Sequence, residues 1–281
     1  MTPAAFDYAR PDSVAAALAL LHPNAQLLAG GQSFVPMLVR RAARPALVID
    51  INRIPGLAQI ELLPGTIRMG ALVRLEQARC SDLVKSELAV LAAALEWVGN
   101  PVIRRRGTVV GNLVMNAPGA ELPAVAVALG AKFLIRTRDG NTTTNPAHQA
   151  LPGGSMVTHV LWPRQTGCGG FHEVSRRDGH VGVVSAAVSQ NRDDSREDIR
   201  AEIRVGLSGI CATGLACQAV ARVIAAAQPA APELRALAEA LRADIGDRPL
   251  YGDLQAPIKY RLQVAPEVIR RAAHSMQAGT A

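Results

Sequence analysis

At 281 residues the chain is long enough for two domains, each with its own core. Its net charge of +7 permits an acidic partner, but 3% aromatic residues and scattered arginines exclude the ordered basic and aromatic surface of a nucleic-acid binder. The four cysteines (Cys80, Cys168, Cys211 and Cys217) form no C-x-x-C pair, so neither an iron–sulfur cluster nor a zinc ribbon is expected. The start of the chain lacks a basic region followed by an apolar core, and no apolar run is long enough to span a bilayer. A cytoplasmic chain with reduced thiols is the expectation.

Residues 6–8 predict a short strand, and Pro11-Asp-Ser13 starts a helix with Val14, Ala17, Leu18 and Leu21 on one face. Residues 26–29 read as a buried strand, and Phe34 opens a helix that stops near Arg40 and Arg41. Gly30 and Gly31 lie at the turn between them. Adjacent glycines there take positive φ and let a ligand approach the backbone closely. The turn's amides and the start of the helix would form a nest for phosphate, with Gln32 and Ser33 adding side-chain hydrogen-bonding groups. These residues fit equally a plain helix-start turn with Ser33 as its cap. Residues 46–50 are a strongly apolar strand, completing a β-α-β-α-β subdomain that ends near Pro55-Gly56. Asp50 sits where a dinucleotide fold places its ribose-binding acid, but the G-x-G-x-x-G spacing is absent and a Rossmann reading is discounted.

The second subdomain opens with a strand at residues 66–71 and short helices near Leu75 and Leu83. Residues 87–98 predict one amphipathic helix, with Leu88, Leu91, Leu95 and Val98 at helical spacing, ended by Asn100-Pro101. A second glycine loop follows, Gly107-Thr-Val-Val-Gly-Asn-Leu113, and Pro123 suits the first turn of a helix running to Leu129. Residues 132–138 and 157–162 read as strands around a loop rich in Gly, Asn and Thr.

A domain boundary is expected near residues 163–170. Beyond it, strands at 170–177 and 181–190, paired through Asp178-Gly179, and a third at 203–207 precede helices at 214–227 and 232–243. Strands followed by helices on one face make an α+β domain. A last helix carries Tyr260-Arg261 and Arg270-Arg271-Ala272, and Pro266 within it should kink or restart it.

The order Val98-Gly-Asn-Pro-Val-Ile-Arg-Arg-Arg-Gly-Thr-Val-Val-Gly-Asn-Leu113, then Pro118-Gly-Ala-Glu-Leu-Pro123, behind Ala29-Gly-Gly-Gln-Ser33, resembles the flavin-binding medium subunit of the molybdenum hydroxylases. That family includes flavin subunits of bacterial carbon monoxide and nicotine dehydrogenases and the flavin domain of xanthine dehydrogenase. The likeness extends through the F-x-E-x-S-R-R strand at Phe171 and the Tyr260-Arg261 helix. It implies an FAD-binding domain of the vanillyl-alcohol-oxidase-like fold over residues 1–165, in two α/β subdomains at about 1–56 and 57–165. A smaller α+β domain is then expected over residues 166–281.

The resemblance also implies the cofactor contacts. Leu28, Ala29, Gly30, Gly31, Gln32, Ser33 and Phe34 would meet Thr108, Val109, Gly111 and Asn112 around the pyrophosphate and ribityl chain of a non-covalent FAD. Glu121 matches an acid near the ribityl hydroxyls, or is simply a carboxylate at a helix N-terminus. Val157 and His172 match cofactor-lining positions, and core or surface placement suits both equally. No residue is assigned as catalytic acid, base or nucleophile, and none as a metal ligand. The flavin carries the electron chemistry, and the protein orients and tunes it.

In the family a molybdopterin-containing large subunit hydroxylates the substrate. Electrons then pass through two [2Fe–2S] clusters of a small subunit to this flavin and on to an external acceptor. The chain would be one subunit of three. A scaffold that keeps the fold but binds flavin weakly, and a free-standing flavin oxidase, are the rival readings. The chain departs from the family pattern at Val110 (glycine in the family), Ala117 (often Asp), His180 and Val181 (an acid and an aromatic ring) and Gln255 (often His).

Overall fold

The computed structural model describes residues 2–149, 151–177, 179–191, 202–228 and 230–278. The first sheet comes from β1 (Asp7–Ala9), α1 (Val14–Leu20), β2 (Ala25–Leu28), α2 (Phe34–Val39) and β3 (Leu47–Asp50). Its strands are parallel in the order β1-β3-β2, which puts the most apolar segment in the centre. Ser13 starts α1 by accepting the Ala16 N–H at 3.2 Å, and Ala17 and Leu18 form the buried face.

The next unit contains β4 (Ile60–Leu63), β5 (Thr66–Gly70), α3 (Leu75–Cys80), α4 (Asp82–Glu87), α5 (Ala89–Leu95), α6 (Pro101–Arg106), α7 (Val109–Met115), α8 (Glu121–Leu129), β6 (Lys132–Thr137), β7 (Thr142–Pro146) and β8 (Ser155–Pro163). The strands form an antiparallel sheet in the order β4-β5-β8-β6-β7. Strand β7 was expected as loop; its run of threonines, β-branched and paired with β6, outweighs the glycine and asparagine around it. The expected helix over 87–98 is shorter, because Leu88 (φ −137°) leaves the helical region and separates α4 from α5. Helix α5 also ends early, at Leu95, so Asn100 and Pro101 do not end it and instead begin α6. The Asn100 side chain accepts the Ile103 N–H at 3.0 Å, and proline fits the first helical position. The second glycine loop is therefore largely helical, lying between α6 and the first turn of α7.

The remaining chain holds β9 (Cys168–Val174), β10 (Val184–Asn191), β11 (Glu202–Ser208), β12 (Leu215–Ala216), α9 (Gln218–Ala227), α10 (Leu234–Ile245) and α11 (Ile258–Ala278). These strands are antiparallel in the order β12-β11-β10-β9, with α9, α10 and α11 covering one face. Strand β10 begins at Val184 rather than 181, and Asp178, expected in the turn before it, lies outside the described residues. Helix α11 runs through Pro266 without restarting. Arg261 roots it: the side chain is 1% exposed and donates to the carbonyls of Val183, Gly209 and Ala256 and to Asp253 at 2.7 Å.

Helix α8 joins the two larger sheets. Every residue from Glu121 to Leu129 is buried, so the helix has no solvent face. One side packs on β10 and β11, the other on α5 and α7. Gly206 permits the close approach: a Cβ there would lie 2.0 Å from the Ala124 carbonyl oxygen.

Candidate functional site

The two glycine loops touch. Gly31 has φ +73°, the left-handed turn expected of it. Gly30 serves a different need: an added Cβ would lie 2.2 Å from Arg106 O and 2.9 Å from the Gly107 Cα. Its missing side chain lets the first loop close on the backbone of the second. Ser33 stands at the N-cap of α2, but its hydroxyl makes no cap hydrogen bond and is exposed on the cleft. The amides of Gln32, Ser33 and Phe34 precede the first turn's bond from Val35 N–H to Gly31 O (3.0 Å) and are free of the helical ladder.

In the second loop Thr108 is buried and accepts the Gly111 N–H at 3.0 Å, which starts α7. A Cβ on Gly111 would crowd that hydroxyl at 2.6 Å. Val110 is a buried residue of the first helical turn, so valine meets no demand for glycine-like dihedrals. Asn112 lines the cleft, and its Oδ1 is buried with no partner among the described residues.

The loops line a cleft of about 1520 Å³, larger than the ~300–1,000 Å³ of a drug-sized site. Ala29, Gly30, Gly31, Gln32, Ser33, Phe34, Thr108, Gly111, Asn112, Glu121 and Val157 all line it. Leu28 and Val109 do not: Val109 is fully buried, and Leu28 packs behind Gly31, where an added Cβ would lie 3.3 Å from its Cδ1. His172 does not line it either. It lies opposite Ala186, on the face of the sheet where Arg271 and Glu267 of α11 act on it, with its ring edge-on to Trp97 at 5.6 Å.

Val181 is 51% exposed in the segment before β10 and lines the cleft, outside any core. Glu121 is 3% exposed, and burial holds its carboxyl well above the usual carboxylate range. Beneath it is Glu173, also 3% exposed, raised first by burial and then by Glu121. Gly119 and Gly182 meet backbone to backbone beside Glu173. Ser185 and Ser208 continue the polar row across the sheet, opposite Glu173 and each other. Glu173 Oε2 and both serine hydroxyls have no partner among the described residues.

Sequence reasoning missed Arg138 at the cleft, which donates to the carbonyls of Leu18, Ala19 and Leu21 at the end of α1. It also missed Glu173, Asn52 and Arg74. An alternating strand with one acid on its apolar face was the available signal for Glu173; an arginine far from its carbonyl partners in sequence left none.

A long cleft, a two-loop cradle closed by Gly30 and the orphaned Asn112 Oδ1 fit a dinucleotide bearing a pyrophosphate and a polyol. Residues 4–159 match the family described as "FAD binding domain in molybdopterin dehydrogenase". The chain is 34% identical to the 6-hydroxypseudooxynicotine dehydrogenase complex subunit alpha of Paenarthrobacter nicotinovorans, over 96% of this chain and 94% of that one. It is 36% identical to the caffeine dehydrogenase subunit beta of a Pseudomonas species, over 70% and 72%. Among solved structures, a carbon monoxide dehydrogenase chain from Hydrogenophaga pseudoflava superposes with a TM-score of 0.86 at 28% identity, covering 99% of both chains. One from Oligotropha carboxidovorans gives 0.88 at 26%, again over 99% of both. The chain belongs to the FAD-binding subunits of the molybdenum hydroxylases, an oxidoreductase subunit whose cofactor is FAD.

Proposed function

We propose that this chain is the electron-transfer subunit of a three-subunit molybdenum hydroxylase, relaying electrons from an iron–sulfur small subunit to an external acceptor. The observation that carries the reading is the paired cradle, two glycine loops closed on each other beside a cleft lined by an unpartnered Asn112 Oδ1. When bound, FAD supplies reversible electron chemistry. The protein's part is placement. The amides of Gln32, Ser33 and Phe34 and the Asn112 side chain would receive the pyrophosphate and ribityl chain, while Glu121, whose carboxyl burial holds above the usual range, would face the ribityl hydroxyls. Val157 and Val181, which line the cleft, would lie against the isoalloxazine. Binding is non-covalent, since neither loop carries a histidine, cysteine or tyrosine to bond a flavin ring.

Residues 1–165 form the FAD-binding domain in this reading, and 166–281 the smaller domain that reaches the cleft through Gly179 and Val181. The molybdopterin and two [2Fe–2S] clusters reside in the large and small partners. End-to-end similarity to a protein named as one subunit of a dehydrogenase complex supports the partnership. Among the described residues no helix is long and apolar enough to cross a membrane. Cys80, Cys211 and Cys217 are thiols, Cys80 exposed, which suits the reducing cytoplasm where we place the complex.

The test is isolation of the complex through a tag on this chain, with molybdenum, iron and flavin counted per chain. All three in fixed proportion support the relay. Partners without flavin would make the chain a scaffold, and flavin without partners a free-standing oxidase.

A further inference from the structure

We propose that Asn52 and Arg74 are positioning residues that act as one clamp, fixing the spacing of the two glycine loops so that both reach the FAD pyrophosphate. The inference deepens the cofactor reading above and rests on it.

The clamp is a chain of hydrogen bonds running behind the cleft. Asn52 Nδ2 donates to the Ala29 carbonyl at 2.9 Å, at the root of the first loop. Its Oδ1 accepts from an Arg74 terminal nitrogen at 2.7 Å. The other terminal nitrogen of Arg74 donates to the Arg106 carbonyl at 2.8 Å, at the root of the second loop. That carbonyl is the one Gly30 must clear, so clamp and loop contact converge on one atom. The backbone on either side of Arg74 carries the second loop as well: Leu75 N–H donates to Gly107 O at 2.9 Å, and Val109 N–H to Val73 O at 3.0 Å. At the other end the clamp is rooted in Asp50. Its Oδ1 accepts from the Asn52 amide at 2.9 Å and from Asn52 Nδ2 at 2.6 Å. Its other oxygen accepts from Tyr8, with Arg10 at 3.5 Å.

Neither Asn52 nor Arg74 lines the cleft. An effect of either on the cofactor must pass through the loops. Otherwise the two loops meet through close packing, Gly30 against the Arg106 and Gly107 backbone and Gln32 beside Gly107, which sets a closest approach but supplies little attraction. The clamp supplies the attraction: charged donors to carbonyls are among the stronger hydrogen bonds, and a planar guanidinium bridges two acceptors at fixed spacing.

The experiment uses the full chain and the variants Asn52→Leu, Arg74→Met and the double. FAD affinity is read by flavin fluorescence, cofactor-free thermal midpoints by calorimetry, and loop opening by hydrogen exchange without FAD. Each single variant is expected to weaken FAD about tenfold, and the double no further than the weaker single, because both cut one chain. Exchange should speed up over residues 28–34 in Arg74→Met, although Arg74 makes no bond to that loop. Unchanged affinity with a lowered midpoint would make the pair merely structural and overturn the clamp. So would affinity losses that multiply in the double, or exchange that rises only at the loop each residue touches. If Arg74→Met does not fold, Asn52→Leu decides alone through exchange at residues 104–112, which Asn52 does not bond. A parent chain that takes up no FAD contradicts the cofactor reading itself, and the exchange data still accept or reject the coupling.

Discussion

Gly30→Ala tests the cradle at its tightest point. The added carbon would lie 2.2 Å from Arg106 O and 2.9 Å from the Gly107 Cα, both main-chain atoms held by the α6–α7 segment. An ordinary C···O contact is about 3.3 Å, so the loops must part by about 1 Å. Forcing a methyl into such packing costs about 1–3 kcal/mol, and the displaced amides no longer converge on one pyrophosphate. A loss of FAD affinity of about tenfold or more is expected. Gly31→Ala is the control: its Cβ would meet only side-chain atoms, Val35 at 3.0 Å and Leu28 at 3.3 Å, and no backbone, with the left-handed φ of +73° as the main cost, about 1–2 kcal/mol. Its effect should appear mainly in thermal stability. Fluorescence titration with FAD and melting of the cofactor-free chain separate the two. Gly30→Ala binding FAD as tightly as the parent would refute the close-packed cradle.

Other outcomes follow from the same site. Asn112→Leu removes the orphaned Oδ1 and should raise the cofactor-free midpoint by relieving about 1–3 kcal/mol of unmet desolvation while weakening FAD; a variant that loses stability and keeps its affinity would contradict this. Val181→Tyr should slow reoxidation of the reduced flavin by oxygen, since an aromatic ring covers more of the isoalloxazine than valine. Because Val181 is exposed on the cleft, thermal stability should hold, and an unchanged reoxidation rate would end the argument. Glu121 and Glu173 have raised folded-state pKa values, so they favour the folded state fully below the unfolded value of 4.5, and that contribution drains as pH rises toward about 7 and beyond. His148, His159 and His172 are pushed down and act oppositely below 6.5, so the comparison is with Glu173→Gln. Its midpoint should fall less than the parent's between pH 5 and 8, and parallel curves would contradict the buried acid pair.

The chemistry of the cleft was legible where glycine is needed for shape. Gly30 and Gly31 at a strand-to-helix turn announced a tight loop, although only coordinates divide the labour between a left-handed turn and a backbone contact. Thr108 and Asn100 were legible as polar residues yet hid as caps, because a glycine-rich reading of the second loop obscured two short helices. Alternation along β9 contained Glu173, but nothing local shows that Ser185 and Ser208 lie opposite it. Asn52 and Arg74 were illegible, since their partners are carbonyls 23 and 32 residues away and a carbonyl carries no residue signature. The place of His172 was left open because a strand position says which neighbours alternate, not which face meets the cleft.

The most direct measurement is the flavin content of the purified chain in its complex, followed by denaturation. The account expects one FAD per chain, all of it released into the supernatant. Flavin that stays with the denatured polypeptide would contradict non-covalent placement by the two loops, and a complex that neither contains nor takes up FAD would contradict the cradle altogether.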